Sequence, residues 1–246
     1  MAYKNLFFDL DDTLWAFTQN ARDTFEELYD KYRYDRFFHS FQHYYTLYQQ
    51  HNLELWAAYG RGQLTKDELN RQRFLYPLEA VGAGDAELAK AFTDDFFTLI
   101  PTKSGLMPHA REVLEYLHPR YNLYILSNGF QELQCRKMRS AGIDRYFKKV
   151  VLSDDIGVLK PRAAIFHFAL SATQSQLGES LMIGDSWEND VAGAAGVGMH
   201  QVFYDVSGNS PLPFRPTYRI TDLTDLLGIL YHMSDLVVFL CIQYHT

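Results

Sequence analysis

Hydrophobic and polar positions follow two rhythms along this chain. Leu6 to Phe8 is a short apolar run that reads as a buried strand starting near Lys4. After Trp15 apolar residues recur every three or four positions until about Ile100, which predicts helices near Asn20–Tyr34, Arg36–Tyr59, Thr65–Tyr76 and Asp85–Leu99. Thr65 and Glu68 have the spacing of a capping box for the third. Breaks fall at Gly60-Arg61-Gly62 and Val81-Gly82-Ala83-Gly84. From Met107 helices and strands alternate. Helices are expected at Pro108–Leu117, Gln131–Ala141, Ala163–Thr173, Trp187–Ala195 and Leu223–Leu230, with strands at Asn122–Leu126, Lys149–Leu152, Leu181–Ile183, His200–Tyr204 and Tyr218–Ile220.

Strands separated by helices specify an α/β fold with a mostly parallel sheet covered on both faces. The first strand belongs to that sheet, so residues 17–101 interrupt it as an all-helical cap, and residues 1–16 and 102–246 form the core. Ligands in such sheets bind beyond the carboxyl ends of the strands. Asp9, Ser127 and Asp185 each stand just after an apolar strand, at that end.

Composition narrows the function classes. Of 246 residues, 47% are hydrophobic and 22% charged, the balance of a globular protein with a real core. A net charge of −7 argues against a nucleic acid polymer or an anionic membrane as partner, while a small anionic substrate stays compatible if a metal or lysine reverses the sign locally. Cys135 and Cys241 give neither a disulfide framework nor metal spacing, and the early Lys4 and Asp9 leave no room for a signal peptide; a cytoplasmic protein is expected. The apolar run Leu236–Ile242 is too short to span a bilayer and is expected to be a packed or frayed terminus, or a partner surface; a monomer and a homodimer are both open.

The chemistry concentrates in four stretches. In Asp9-Leu10-Asp11-Asp12-Thr13, extended geometry sends Asp9 and Asp11 to one side. Two carboxylates at the end of an apolar strand call for a counter-charge, and all-oxygen ligation suits Mg²⁺. A plain helix start is the competing reading of this acidic turn. Ser127-Asn128-Gly129 offers a hydroxyl and backbone N–H groups at a helix start, a natural anion seat or an ordinary turn. Lys160-Pro161 precedes another helix, where the lysine either neutralises an anion or is solvated. In Gly184-Asp185-Ser186-Trp187-Glu188-Asn189-Asp190, Asp185 faces the strand end, Ser186 suits a cap, and Asp190 is placed to orient Asp185 or Lys160.

Taken in order, Asp9-x-Asp11-x-Thr13, Ser127, Lys160 and Gly184-Asp185-x-x-x-x-Asp190 resemble the motifs of the haloacid dehalogenase-like hydrolase superfamily, over residues 1–16 and about 102–230. The resemblance implies a Rossmann-like core and Mg²⁺-dependent phosphoryl transfer. Asp9 is then the nucleophile and Asp11 the general acid/base, a residue that the true dehalogenases of the superfamily lack. Mg²⁺ is held by Asp9, Asp185 and the Asp11 carbonyl; Thr13, Ser127, Asn128 and Lys160 hold phosphate oxygens; Asp190 supports from behind.

The run Asn128-Gly129-Phe130-Gln131-Glu132-x-Gln134, its spacing to Ser153–Pro161 and the large helical insert look like the YjjG-like pyrimidine 5′-nucleotidases, which implies a nucleoside 5′-monophosphate substrate. A phosphoglycolate or sugar-phosphate phosphatase, or a phosphomutase, would use the same core. A non-catalytic binding protein is disfavoured, because every catalytic position holds a competent residue. Phe17, Tyr44, Tyr45, Tyr48 and Trp56 are candidates to stack on a base, against the simpler expectation that they fill the cap's own core. His39 and His43 share a helix face without an evident third ligand and read as a packed or solvated pair.

Overall fold

The computed structural model describes residues 3–230; the apolar run Leu236–Ile242 and Cys241 lie outside them. The described chain forms two compact units, one of residues 3–15, 106–128 and 143–230, the other of residues 16–105 and 129–142.

The first unit is the expected α/β, Rossmann-like sheet. Its six strands are β1 (Asn5–Phe8), β2 (Asn122–Ser127), β3 (Lys149–Leu152), β4 (Ser180–Gly184), β5 (His200–Tyr204) and β6 (Tyr218–Ile220), in the order β3-β2-β1-β4-β5-β6 and parallel throughout. Strands covered on both faces carry apolar runs rather than alternation, and Leu6, Phe7, Phe8, Ile125, Leu126, Met182 and Ile183 are fully buried. On one face Phe7, Tyr124, Leu126, Val151 and Met182 pack with Ile165, Phe166 and Ala169 of the helix Ala163–Ala172. The order reverses at β1: β2 and β3 lie to one side, β4 to β6 to the other. Such a switch point opens a crevice at the carboxyl ends of the strands, and here it falls beside Asp9.

In the second unit, α1 (Phe17–Lys31), α2 (Phe41–Gly60), α3 (Lys66–Ala80) and α4 (Ala86–Leu99) carry the insert, joined by α6 (Gln131–Ser140), where α5 is the helix Ala110–Leu117 of the α/β unit. The core is aromatic. Phe25 meets Tyr48 at 4.3 Å between ring centres, Phe96 at 4.7 Å and Tyr45 at 5.5 Å, with Tyr44, Phe74 and Phe92 about it. Offset and edge contacts of this kind add to the burial of large rings.

Two helix boundaries differ from expectation for identifiable reasons. The third helix was expected to stop before Pro77, yet it runs to Ala80: Pro77 and Leu78 are buried, and that packing offsets the lost backbone hydrogen bond. The second starts at Phe41 rather than Arg36 because Ser40 caps it, its Oγ accepting from the His43 N–H at 3.1 Å, while Tyr34–Arg36 forms a separate 3₁₀ turn. The capping box of Thr65 and Glu68 is present.

Candidate active site

Every residue singled out for chemistry belongs to the α/β unit, at the ends of β1, β2 and β4 or in the loops that follow. Asp9 leaves β1 with its N–H donating to the Ile183 carbonyl at 2.9 Å, so the β1–β4 ladder runs up to the carboxylate itself. The chain then folds back: the Leu14 and Trp15 N–H groups donate to the Leu10 carbonyl, and Asp12 takes a left-handed conformation (φ 59°) that aspartate tolerates better than most residues. This tight turn buries Thr13 and leaves Asp11 half-exposed beside Asp9.

Lys160 is the pivot. Its ammonium is buried and donates to Asp9 Oδ1 at 2.6 Å, Asp190 Oδ1 at 2.6 Å and the Leu126 carbonyl at 2.7 Å, which uses all three of its hydrogens. Asn128 fixes the lysine from behind through a reciprocal pair: its Oδ1 accepts from the Lys160 N–H at 2.7 Å and its Nδ2 donates to the Lys160 carbonyl at 3.0 Å. Asp190 is held in turn by the Ser186 N–H, which donates to Oδ2 at 3.1 Å, and Ser186 Oγ caps the following π-helical turn (Trp187–Ala192) through the Asn189 N–H. Of the two partners expected for Asp190, the one it meets is Lys160.

Gly184 is required here by space. A Cβ at this position would overlap the Asp190 carboxylate and come within 2.6 Å of the Asp190 Cβ. Thr13 reaches across from the first loop: its Oγ1 donates to Asp185 Oδ1 at 2.9 Å and accepts from the Asp185 N–H at 3.1 Å. The hydroxyl therefore orients Asp185. Ser127 is buried at the end of β2.

Carboxylate oxygens of Asp9, Asp185 and Asp190 lie within 4.8 Å of one another, the one such group of potential metal ligands among the described residues. Burial, and then the charge of Asp190, pushes the Asp185 carboxyl up to about 7. Burial also raises Asp9 well above the ordinary carboxylate range, Lys160 pulling it down and Asp190, Asp185 and Asp11 pushing it up. Burial alone would lower Lys160, but Asp190 and Asp9 hold its ammonium above its usual value. One lysine thus leaves the acidic group short of positive charge. With Lys160 on Asp9 and Asp190, the hard oxygen donors of Asp9 and Asp185 fit a small divalent cation such as Mg²⁺.

The two residues that sequence reasoning did not assign are the Leu126 carbonyl, a backbone group with no sequence signature, and Ser153, whose Oγ donates to the Asn128 carbonyl at 3.2 Å. The candidates for base stacking also sort themselves. Tyr44, Tyr45 and Tyr48 are buried in the helical unit, and Trp56 stacks on Phe130 at 5.7 Å and 23°. Lys137 Nζ lies 5.1 Å from the half-exposed ring of Phe17. His39 and His43 stack on each other at 5.3 Å.

The chain is similar to known proteins over most of its length. Pyrimidine 5′-nucleotidase YjjG of Escherichia coli (strain K12) is 28% identical over 232 residues, 94% of this chain and 99% of that protein. A phosphoserine phosphatase of Thermus thermophilus is 30% identical over 179 residues, 70% and 71% of the two chains. The crystal structure of the HAD-hydrolase YfnB from Bacillus subtilis bound to magnesium superposes with a TM-score of 0.85 at 25% identity, over 94% of this chain and all of that one. The family model for haloacid dehalogenase-like hydrolases matches residues 3–198. The chain belongs to that family, and it is an enzyme.

Proposed function

We propose that the protein is a Mg²⁺-dependent phosphomonoester hydrolase that works through an aspartyl-phosphate on Asp9, in the cytoplasm, with a nucleoside 5′-monophosphate as substrate. The observation that carries the reading is the clamp on Asp9: a buried carboxylate aimed by Lys160, with Asp185 beside it and Asp11 two residues on. Mg²⁺, held by Asp9, Asp185 and the Asp11 backbone carbonyl, would supply positive charge to the phosphoryl oxygens.

The remaining steps belong to side chains. Lys160 opposes the burial of Asp9 and so favours its ionised form, and by holding Oδ1 it fixes the other oxygen toward phosphorus. As the Asp9–phosphorus bond forms, the phosphorus–ester oxygen bond breaks, and Asp11 gives its proton to the departing alcohol oxygen. Asp11 then takes a proton from water while the water oxygen bonds to phosphorus and Asp9 is released. The Asp12 N–H donates to the Trp15 carbonyl, so Ser127 and Asn128, with the Thr13 N–H, receive the phosphate oxygens. Thr13 keeps Asp185 in place, and Asp190 keeps Lys160 in place. Asp11 also separates this reading from carbon–halogen hydrolysis, which does not need an acid for an alcohol leaving group.

The nucleotidase reading is supported by the full-length similarity to YjjG, a pyrimidine 5′-nucleotidase by name. Purified protein with Mg²⁺ is to be offered uridine and deoxyuridine 5′-monophosphate, phosphoglycolate, phosphoserine and hexose phosphates. A preference of tenfold or more in kcat/KM for the nucleotides is expected. A preference for any other ester replaces the substrate assignment. Loss of all hydrolysis with the fold intact removes the phosphatase reading.

A further inference from the structure

Directly after the carboxylate cluster, the α/β unit carries aromatic surface that the proposed chemistry leaves unused. Trp187 stands two residues beyond Asp185, at most about 7 Å along the chain. Its indole is partly exposed and lies 5.3 Å from Phe203, nearly perpendicular, and 4.7 Å from Phe214 at 51°. Phe203 pairs in register with Gly184, so this group sits at the same height in the sheet as the Gly184–Asp185 strand end. Phe203 is buried, while Phe214 keeps 39% of its surface exposed.

Segment 206–217, which bears Phe214, is tied down. The Asp205 carboxylate accepts from Ser207 Oγ at 2.7 Å, from the Ser210 N–H at 3.2 Å and Oγ at 2.8 Å, and from the Arg219 guanidinium. Arg219 also donates to the Ser210 carbonyl at 3.2 Å. Pro211, Pro213 and Pro216 stiffen the remainder. An exposed phenylalanine on a segment this constrained is presented at little entropic cost, and it flanks a tryptophan two residues after Asp185.

We infer that Trp187 and Phe214 form an aromatic seat for the organic part of the phosphate ester, taking a flat ring such as a pyrimidine base. The inference rests on the phosphomonoesterase reading and adds to it the residues that select the leaving group. In a nucleoside 5′-monophosphate the sugar holds the base away from phosphorus, so a base selector must stand beside the acidic cluster and not in it. Trp187 follows Asp185 by two residues and, with Phe214 at 4.7 Å from it, offers π-faces, which stack on any base without reading its edge.

The test compares Trp187→Ala, Trp187→Phe and Phe214→Ala with the wild type on uridine 5′-monophosphate, p-nitrophenyl phosphate and glycerol 1-phosphate, with Mg²⁺. Trp187→Ala should raise KM about tenfold for uridine 5′-monophosphate at nearly constant kcat, and leave glycerol phosphate and p-nitrophenyl phosphate, whose ring is bonded directly to the ester oxygen, unchanged. Trp187→Phe should recover most of the loss, and Phe214→Ala should show a smaller form of it. An equal loss on all three esters marks a purely structural tryptophan and overturns the inference, as does no change on any. A second readout stands apart from turnover: uridine should quench the fluorescence of the wild type and not of Trp187→Phe. If the wild type hydrolyses none of the esters, the phosphomonoesterase reading falls on its own, and a missing Trp187-dependent quench overturns the seat separately.

Discussion

Replacing Lys160 with methionine exposes the electrostatics of the site most directly. The ammonium donates to Asp9 Oδ1 and to Asp190 Oδ1, each at 2.6 Å; the side chains involved are between 1% and 12% exposed. Methionine keeps much of the volume and removes the charge, leaving two carboxylates in a buried, water-poor place. Breaking a buried pair from one side costs about 3–5 kcal/mol, a large part of the roughly 5–15 kcal/mol that holds a domain folded. The molecule has one escape, protonation. Lys160 is the group that lowers Asp9, so without it the Asp9 carboxyl rises further. A carboxyl raised in the folded state stabilises below its unfolded value near 4 and loses that stabilisation as pH climbs through its folded value. The deficit of Lys160→Met should therefore be greatest near pH 8 and shrink toward pH 5, by up to about 1.4 kcal/mol per pH unit while the extra proton is bound. Urea unfolding in EDTA, followed by far-UV circular dichroism at several pH values, measures it. A deficit below about 1 kcal/mol at pH 8, or one that grows as pH falls, would refute the buried clamp.

Further outcomes follow from particular contacts. Gly184→Ala should drive the Asp190 carboxylate off Lys160 and lower kcat about a hundredfold, whereas Gly178→Ala, with open space at its Cβ, should leave kcat unchanged in the same assay. Trp56→Ala removes the ring stacked on Phe130 and should destabilise the protein by about 3 kcal/mol in chemical denaturation, a loss below 1 kcal/mol counting against that packing. Burial alone would raise Asp205, but hydrogen bonds from Arg219, Ser207 and Ser210 hold it well below the usual carboxylate range. Its contribution is present above pH 4 and fades as pH falls through the lowered folded value, so Asp205→Asn should be less stable than wild type at pH 7 and the gap should narrow in acid; a gap that widens in acid contradicts the assignment.

The sheet was legible because its strands are apolar runs of four to six residues between turn signals. β5 and β6 begin and end at the residues expected, and β3 does as well. The carboxylates were legible by position, each following such a strand. Side-chain hydrogen bonding was not. Nothing in Asn128 or Thr13 as residue types says that the amide would clasp the Lys160 backbone or that the hydroxyl would turn to Asp185; both depend on distances across 32 and 172 residues of sequence. Helix α6 has the rhythm of an ordinary crossover helix, yet it clusters with the helices of the insert. Phe130 at its start supplies the reason: it is buried against Leu55 and Leu69, with Trp56 on its face and Lys66 Nζ 4.1 Å from its ring centre. Aromatic crowding between Phe25 and Tyr59 gave no way to tell a stacking platform from a core, and burial assigns Tyr44, Tyr45 and Tyr48 to the core.

The central claim is that Asp9 carries the phosphoryl group. Wild-type enzyme mixed with Mg²⁺ and ³²P-labelled uridine 5′-monophosphate, quenched in acid within one turnover and digested, should yield a single labelled peptide spanning Asp9. The label should be released by hydroxylamine, as an acyl phosphate is, and be absent from Asp9→Asn. Uridine released while no label ever reaches that peptide, or an Asp9→Asn enzyme that still hydrolyses the substrate at a comparable rate, would contradict the account.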